Sequence, residues 1–180
     1  MNGSSGLALA AVALAAVALL AACGEEEELD VVEGEPVELG ELSFNVQLTR
    51  FLNPDDPEDE AYLRGQPLRS ADQQYLAVFM TVANEGDQPA ELPSTMTIRD
   101  TRDNTYQPLD SASVYALELG TTLPAGDELP RPDTPAATGP IRGAMVLFRV
   151  DRAVTENRPI ELEIPSASTG GEQAQVELDI

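Results

Sequence analysis

Beyond an apolar run at the amino terminus, apolar residues in this chain recur at every second position. In ELSFNVQLTR the set Leu42, Phe44, Val46 and Leu48 alternates with Glu41, Ser43, Asn45, Gln47 and Thr49, which puts one face of a strand on a core and the other in water. In QYLAVFMTVAN the set Leu76, Val78, Met80 and Val82 alternates with Tyr75, Ala77, Phe79 and Thr81. Both sets are largely apolar, as expected of a central strand. The turn signal Asn84-Glu85-Gly86-Asp87 stops it. Further strands are predicted around Thr95 to Asp100, Tyr106 to Leu109, Val114 to Leu119, Gly143 to Val150, Ile160 to Ile164 and Val176 to Ile180. In PIELEI the residues Ile160, Leu162 and Ile164 face in while Glu161 and Glu163 face out, and QVELDI repeats this with Val176, Leu178 and Ile180. Punctuation comes from Pro89, Pro93, the Asp103-Asn104 pair with its left-handed-tolerant asparagine, Pro124 with Gly126, and Gly170-Gly171. No helical period survives outside the amino-terminal run. About seven to nine short strands with regular turns predict an all-β fold, an antiparallel β-sandwich.

The amino-terminal run, Leu7 to Ala22, contains only Ala, Val and Leu. As a helix its sixteen residues reach about 24 Å, short of the roughly 30 Å hydrocarbon core of a bilayer. That length suits the apolar centre of a secretion signal, with small residues following at the cleavage site. The residues there, Leu20-Ala21-Ala22-Cys23, resemble the lipobox of bacterial lipoprotein signal peptides, and Gly24 follows. The resemblance implies a diacylglyceryl thioether on Cys23 and cleavage that makes this cysteine the first residue. The other reading is an ordinary signal or anchor in which Cys23 is a small apolar residue. MNGSSG carries no Lys or Arg, which leaves the terminal amine as the only positive charge ahead of the run. Either reading places the body outside the cytoplasm. From Gly24 to Pro36 come seven acids and no base; such a segment self-repels and is expected to form an extended, disordered tether. The expected divisions are therefore a signal peptide over 1–22, a lipidated cysteine and acidic tether over 23–36, and one sandwich domain over 37–180.

Several segments suggest a family. QYLAVFMTVANEGDQPAELP looks like the long strand and turn of the telokin-like, immunoglobulin-sandwich domains of unknown function found in many lipoproteins of Gram-positive bacteria. RDTRDNTYQPL is similar to the next hairpin, with Asn104 where the family usually has Gly, and LPAGDELP and RGAMVLFRVDRAV resemble its Pro-Gly turn and its late strand, here with Phe148. The resemblance covers roughly residues 40 to 164, and departs from the pattern at the Pro-rich PRPDTPAATGP and at the long segment 53 to 73. It implies an immunoglobulin-like β-sandwich and brings no catalytic residues with it.

Charge and composition narrow the chemistry. There are 32 acids, 10 arginines, no lysine and no histidine, for a formal net charge of −22. Nucleic acid, anionic lipid and anionic wall polymers are repelled, because there is no basic patch to release their counterions. Without His or Lys, and with the single thiol expected to be acylated, the chain lacks the usual general base, Ser-His and Cys-His nucleophiles, Schiff-base chemistry and imidazole metal ligands. Carboxylates remain. In NPDDPEDEAY the residues Asp55, Asp56, Glu58, Asp59 and Glu60 form either a solvated acidic loop, held off the core by Pro54 and Pro57, or a weak calcium site of the extracellular kind. Tyr62, Tyr106 and Tyr115 are expected as core and turn residues, with a carbohydrate-stacking platform as the alternative. No cofactor other than weakly bound calcium is expected. The functional expectation is a membrane-anchored extracytoplasmic lipoprotein, attached to lipid through acylated Cys23, with a noncatalytic binding or accessory module that uses sheet edges and loops to hold a protein partner or ligand at the cell surface. Its loops over 53–73 and 124–142 are the expected binding elements. A carboxylate-dependent hydrolase and a ligand-free envelope spacer are the competing readings.

Overall fold

The alternating segments pair into sheets as their patterns demand. The computed structural model describes residues 28–67, 69–167 and 171–180. In chain order the elements are β1 (Glu28–Val32), β2 (Pro36–Leu39), β3 (Leu42–Leu52), β4 (Gln73–Asn84), β5 (Ala90–Glu91), β6 (Thr97–Asp100), β7 (Thr105–Tyr106), β8 (Thr122–Leu123), β9 (Glu128–Leu129), the single-turn helix α1 (Pro135–Thr138), β10 (Ala144–Asp151), a 3-10 turn over Arg152–Glu156, β11 (Ile160–Pro165) and β12 (Gln173–Glu177). One sheet has the order β1-β12-β11-β6-β7 and the other β10-β4-β3-β2, with β9 beside β4 and a separate β5–β8 pair. The chain is an immunoglobulin-like β-sandwich.

Between the sheets, Leu76, Val78, Met80 and Val82 of β4 and Val146, Phe148 and Val150 of β10 meet Ile98 of β6, Ile160, Leu162 and Ile164 of β11, and Val176 of β12. Each such side chain contributes roughly 1.5–3 kcal/mol on leaving water. One side of the sandwich is closed by a strand that changes sheets. Tyr106 of β7 pairs with Ile98 of β6, and two residues on Pro108 bridges to Phe148 of β10. Proline has no N–H to continue the first ladder, so the crossing comes where a donor is missing.

Several expectations are corrected. The acidic segment does not remain a free tether as far as residue 36: β1 lies parallel to β12 from Glu28↔Gln173 to Val32↔Glu177, and Val31 packs against the core. A short period-two pattern, Leu29-Asp30-Val31, sits inside the acid run, and backbone pairing with the packing of Val31 outweighs the charge repulsion. The same strand makes the sandwich not wholly antiparallel. Alternation alone puts Leu48 on the core face with Val46, but the β3–β4 register shifts between Val46 and Leu48 and Leu48 is exposed. The extra residue of this bulge flips the alternation, so that Thr49 and Phe51 turn inward instead.

The stretch Val114 to Leu119 is not a strand. It makes one parallel bridge, Ala116 to Met145, because Ser113 Oγ accepts the Tyr115 N–H at 3.3 Å and the Ser113 carbonyl the Ala116 N–H at 3.2 Å, local bonds that compete with a ladder. The last strand begins at Gln173 rather than Val176, since Pro165 of β11 pairs with Gln173. Val176 within it and Leu178 just beyond it are buried, as expected.

The β6–β7 turn takes its left-handed residue at Asp103 (φ 60°), not at Asn104. Buried Asp100 ties this turn down: its carboxylate accepts from Arg102 N (2.9 Å), Asn104 N (3.0 Å), Asn104 Nδ2 (2.9 Å) and Asn157 Nδ2 (2.9 Å). Burial alone would raise the Asp100 carboxyl, but these donors outweigh it and hold the group below the ordinary range. The stability it lends is present above the unfolded carboxyl pKa and is lost as pH falls through the lowered folded value.

Candidate functional site

The sheet that contains β4 is covered on both faces. Tyr75, Ala77 and Phe79 of β4, Met145 and Leu147 of β10, and Leu52 of β3 turn away from the main core and gather Tyr62 and Leu63, with Leu109, Tyr115 and Ile141 partly buried against them. Tyr62 stands edge-on to Phe79 (centroids 5.4 Å, 84°) and tilted on Tyr115 (4.5 Å, 43°). The segment that carries Tyr62 is fixed by Asp59, whose buried carboxylate accepts from Asn53 N at 2.8 Å and pairs with the Arg50 guanidinium. The Asp59 carbonyl then takes the N–H groups of Tyr62 (3.1 Å) and Leu63 (3.2 Å). Burial raises the Tyr62 phenol, with Tyr115 adding to the effect, so the ring stays neutral in its apolar setting.

Beside this layer lies a groove of about 640 Å³. Its floor is the outer edge of β10, Met145 to Leu147. One wall is Pro108 to Ser111, the other Ala116 to Leu119, and Thr95 and Gln107 close one end. The two walls are the two places where the chain touches that edge. Met145 N donates to Tyr115 O (2.7 Å) and Leu117 N to Met145 O (2.8 Å), while Leu109 N donates to Leu147 O (2.7 Å). Asp110 and Glu118, both exposed, are the charged side chains lining the groove, which has no basic one.

The residues singled out from sequence are dispersed. Leu20, Ala21, Ala22 and Cys23 lie outside the described residues. Of the five acids considered for calcium, Asp59 is consumed in its tie to Arg50 and Asn53, Asp56 Oδ1 takes the Glu58 N–H at 2.9 Å, and Asp55, Glu58 and Glu60 are exposed. Among the described residues no three acidic or cysteine side chains converge as a metal ion needs. The loop forms a turn, with its one inward carboxylate already paired. Tyr62 and Tyr115 do come together, but Tyr62 is buried under the layer and Tyr106 packs against the main core, so no stacking platform forms. Segment 53 to 73 proves to be a cover for the sheet in its middle part. The groove residues Asp110, Glu118 and Leu147 were not anticipated; the one signal was that β10, like β4, is apolar on both alternating sets, which marks a covered outer face.

The outer face of the other sheet gathers like charges. Glu161 lies opposite Glu177 on β12 and Arg99 on β6, and Glu163 opposite Gln175 and Thr97. Burial raises the Glu161 carboxyl, and Asp30, Glu163 and Glu177 raise it further against the pull of Arg99. An acid whose folded pKa lies above its unfolded one supports the fold fully below the unfolded value and loses that support as pH rises through the folded value. Glu161→Gln is therefore expected to raise the melting temperature at pH 7 and leave it unchanged near pH 3; an equal change at both pH values would show that charge is not the cause.

No protein-family model matches the chain, and no curated protein does. Solved structures do. An uncharacterised β-sandwich protein from Clostridium difficile matches with a TM-score of 0.50 at 12% identity, over 86% of this chain and 97% of that one. MPT63, a secreted protein of Mycobacterium tuberculosis, matches at 0.53 and 13%, over 83% and 98%. The lipoprotein candidate ycdA of Bacillus subtilis matches at 0.53 and 16%, over 82% of this chain and 38% of that one. What they share with this chain is the fold.

Proposed function

We propose that the chain is a bacterial cell-surface lipoprotein, anchored to lipid through Cys23, whose sandwich is a noncatalytic binding module on the extracytoplasmic face of the membrane. The sequence Leu20-Ala21-Ala22-Cys23 behind a short apolar run supports the anchor, and a fold shared with a secreted protein and a lipoprotein candidate is in keeping with that location. The observation that carries the binding reading is the groove on the edge of β10, a concavity where the apolar Leu109, Leu117 and Leu147 are interleaved with the polar Thr95, Gln107 and Ser111 and two acids. Its two acids sit exposed at the rim. Since β1 already includes Glu28, at most five residue steps separate the anchor from the body, about 17 Å at full extension. The module is thereby held against the membrane, not on a long stalk. Intact-mass analysis of protein extracted from membranes is expected to give a chain that starts at Cys23 and carries at least two acyl groups; an unmodified chain that starts at Met1 would overturn the anchor.

A further inference from the structure

The segment that leads from Cys23 into the body is held lightly. Among the described residues β1 is an end strand of its sheet, next to β12, and it pairs in parallel over Glu28 to Val32, an arrangement slightly weaker per residue than an antiparallel ladder. Little apolar surface goes down with it: Val31 packs partly buried against the core, Val32 is 48% exposed and Asp30 is exposed. Beside it a cavity of about 340 Å³ opens among Val32, Glu33, Arg158, Ile160, Glu177 and Leu178. The fastening comes just after β1. Glu33 N donates to the Glu177 carbonyl (3.0 Å) and Gly34 N to the Val46 carbonyl (2.8 Å), while the Glu33 carboxylate accepts from Thr49 N of β3 (3.1 Å) and from Asp179 N just beyond β12 (3.2 Å). All four bonds end on two adjacent residues, so they form and break together when the segment docks or leaves. Charge opposes the docking. Facing Glu161 on the outer face of this sheet are Asp30 from β1, Glu177 from β12, Glu163 from its own strand and, with the opposite sign, Arg99 from β6. Like charges at cross-strand positions weaken a sheet. Burial first and Asp30 next raise the Glu161 carboxyl, so the docked segment favours the protonated acid, and protonation favours docking.

We infer that residues 28 to 35 are a strap whose charge sets the length of the tether: docked along β12 it holds the body close to the anchor, and released it lets the body move away. The docking equilibrium stands on the contacts above, and its meaning as a tether rests on the anchor reading at Cys23. With the strap docked, at most five residue steps lead from Cys23 to the body. With it released, thirteen lead to Pro36 at the start of β2, about 45 Å at full extension, and the acids among them repel one another and favour that extension. The direction of the response follows from Glu161. Its support for the docked state is complete below the carboxyl's value in the released chain and is lost as pH rises through the raised value of the docked one. The chain has no histidine or lysine, which leaves carboxyls to carry the response between acid and neutral pH. Salt screens Asp30 and Glu177, both exposed, and so favours docking.

The test uses the full chain in detergent and reads amide exchange at Glu33, Gly34, Thr49 and Asp179. The reference is the Met145 N–H, bonded to Tyr115 O at 2.7 Å on the far edge of the other sheet. The four strap amides are expected to share one protection factor, at least about tenfold below that of Met145. Relative to Met145, that factor is expected to fall at least about threefold from about pH 4.5 to about pH 8 at low salt and to recover in about 0.5 M sodium chloride. Asp30→Asn is expected to remove most of the fall. Glu33→Ala is expected to cost Gly34 and Asp179 at least about tenfold in protection and to leave Met145 unchanged. Four amides that exchange independently, or only together with Met145, would sink the strap, and protection that ignores pH, salt and Asp30→Asn would sink its control by charge. On a supported bilayer carrying the lipidated chain, reflectometry is expected to place the Glu33→Ala body at least about 10 Å further out than the wild-type body at acid pH; equal distances would end its role in reach. The exchange readouts do not involve lipid, so their failure leaves the anchor at Cys23 standing, and loss of the anchor leaves the docking equilibrium standing.

Discussion

Cys23→Ala is expected to move the protein from the membrane pellet to the soluble fraction, with at least a tenfold change in the ratio of the two. Each buried methylene of an acyl chain contributes about 0.8 kcal/mol, so that two chains hold a protein firmly, and the substitution removes the sulfur atom that carries them. Among the described residues nothing replaces that hold. Among the described residues no helix is long and apolar enough to cross a bilayer, and a body with 32 acids against 10 bases is repelled by anionic lipid. The substitution also extends the pair Ala21-Ala22 by one more alanine, small residues in the spacing that ordinary signal cleavage uses, which gives the leader a way to be removed without lipid. Fractionation and labelling with fatty acid check both halves: the wild type takes up label and pellets, the variant does neither. A variant that still pellets, alongside a wild type that takes up no label, ends the lipoprotein reading.

Legibility from sequence followed the range of the interactions. Period-two runs such as Leu76 to Val82 and Ile160 to Ile164 are written locally, and their faces in the structure are the expected ones. Apart from Val114 to Leu119, lost to the local bonds of Ser113, misreadings arose where another strand decided the outcome. The bulge at Val46 and Leu48 exists because β3 must match β4 across a segment of chain far downstream, and nothing in ELSFNVQLTR marks it. The pairing of β1 depends on β12, whose first residue is 145 positions further along at Gln173, so the acid run looked like a free tether. The groove has the same character. Its floor, Met145 to Leu147, and its walls at Pro108 to Ser111 and Ala116 to Leu119 are brought together by two bridges distant in sequence, Pro108 to Phe148 and Ala116 to Met145. Cys23 is the opposite case, legible because its expected chemistry depends on immediate neighbours.

Asp59→Ala is expected to lower stability by about 2–4 kcal/mol, or roughly 5–15 °C in melting temperature for a domain of this size. The acidic loop offers five carboxylates in six positions, yet only Asp59 is turned inward, at 1% exposure. Its loss leaves Asn53 N without an acceptor and Arg50 without its partner, and it frees the turn whose carbonyl at Asp59 fixes Tyr62 and Leu63 over Phe79. Most of the cost comes from that uncovered layer and the unpaired donor. Arg50 is 37% exposed in its side chain and can turn back to water, so the ion pair itself contributes about 1 kcal/mol or less. Asp59→Asn, which keeps an acceptor for Asn53 N, is accordingly expected to cost less than Asp59→Ala. Asp55→Asn and Glu60→Gln, on exposed side chains, are expected to stay within about 0.5 kcal/mol of the wild type. A calcium site would behave differently: the ligand acids would each matter, and chelator would reproduce the loss. Melting of all four variants with calcium and with chelator separates the two. Coincident curves with and without the ion, and a large effect at Asp59 alone, are the expected pattern. A chelator effect as large as that of Asp59→Ala in the wild type, and absent from the Asp59 variant, would return the loop to metal binding.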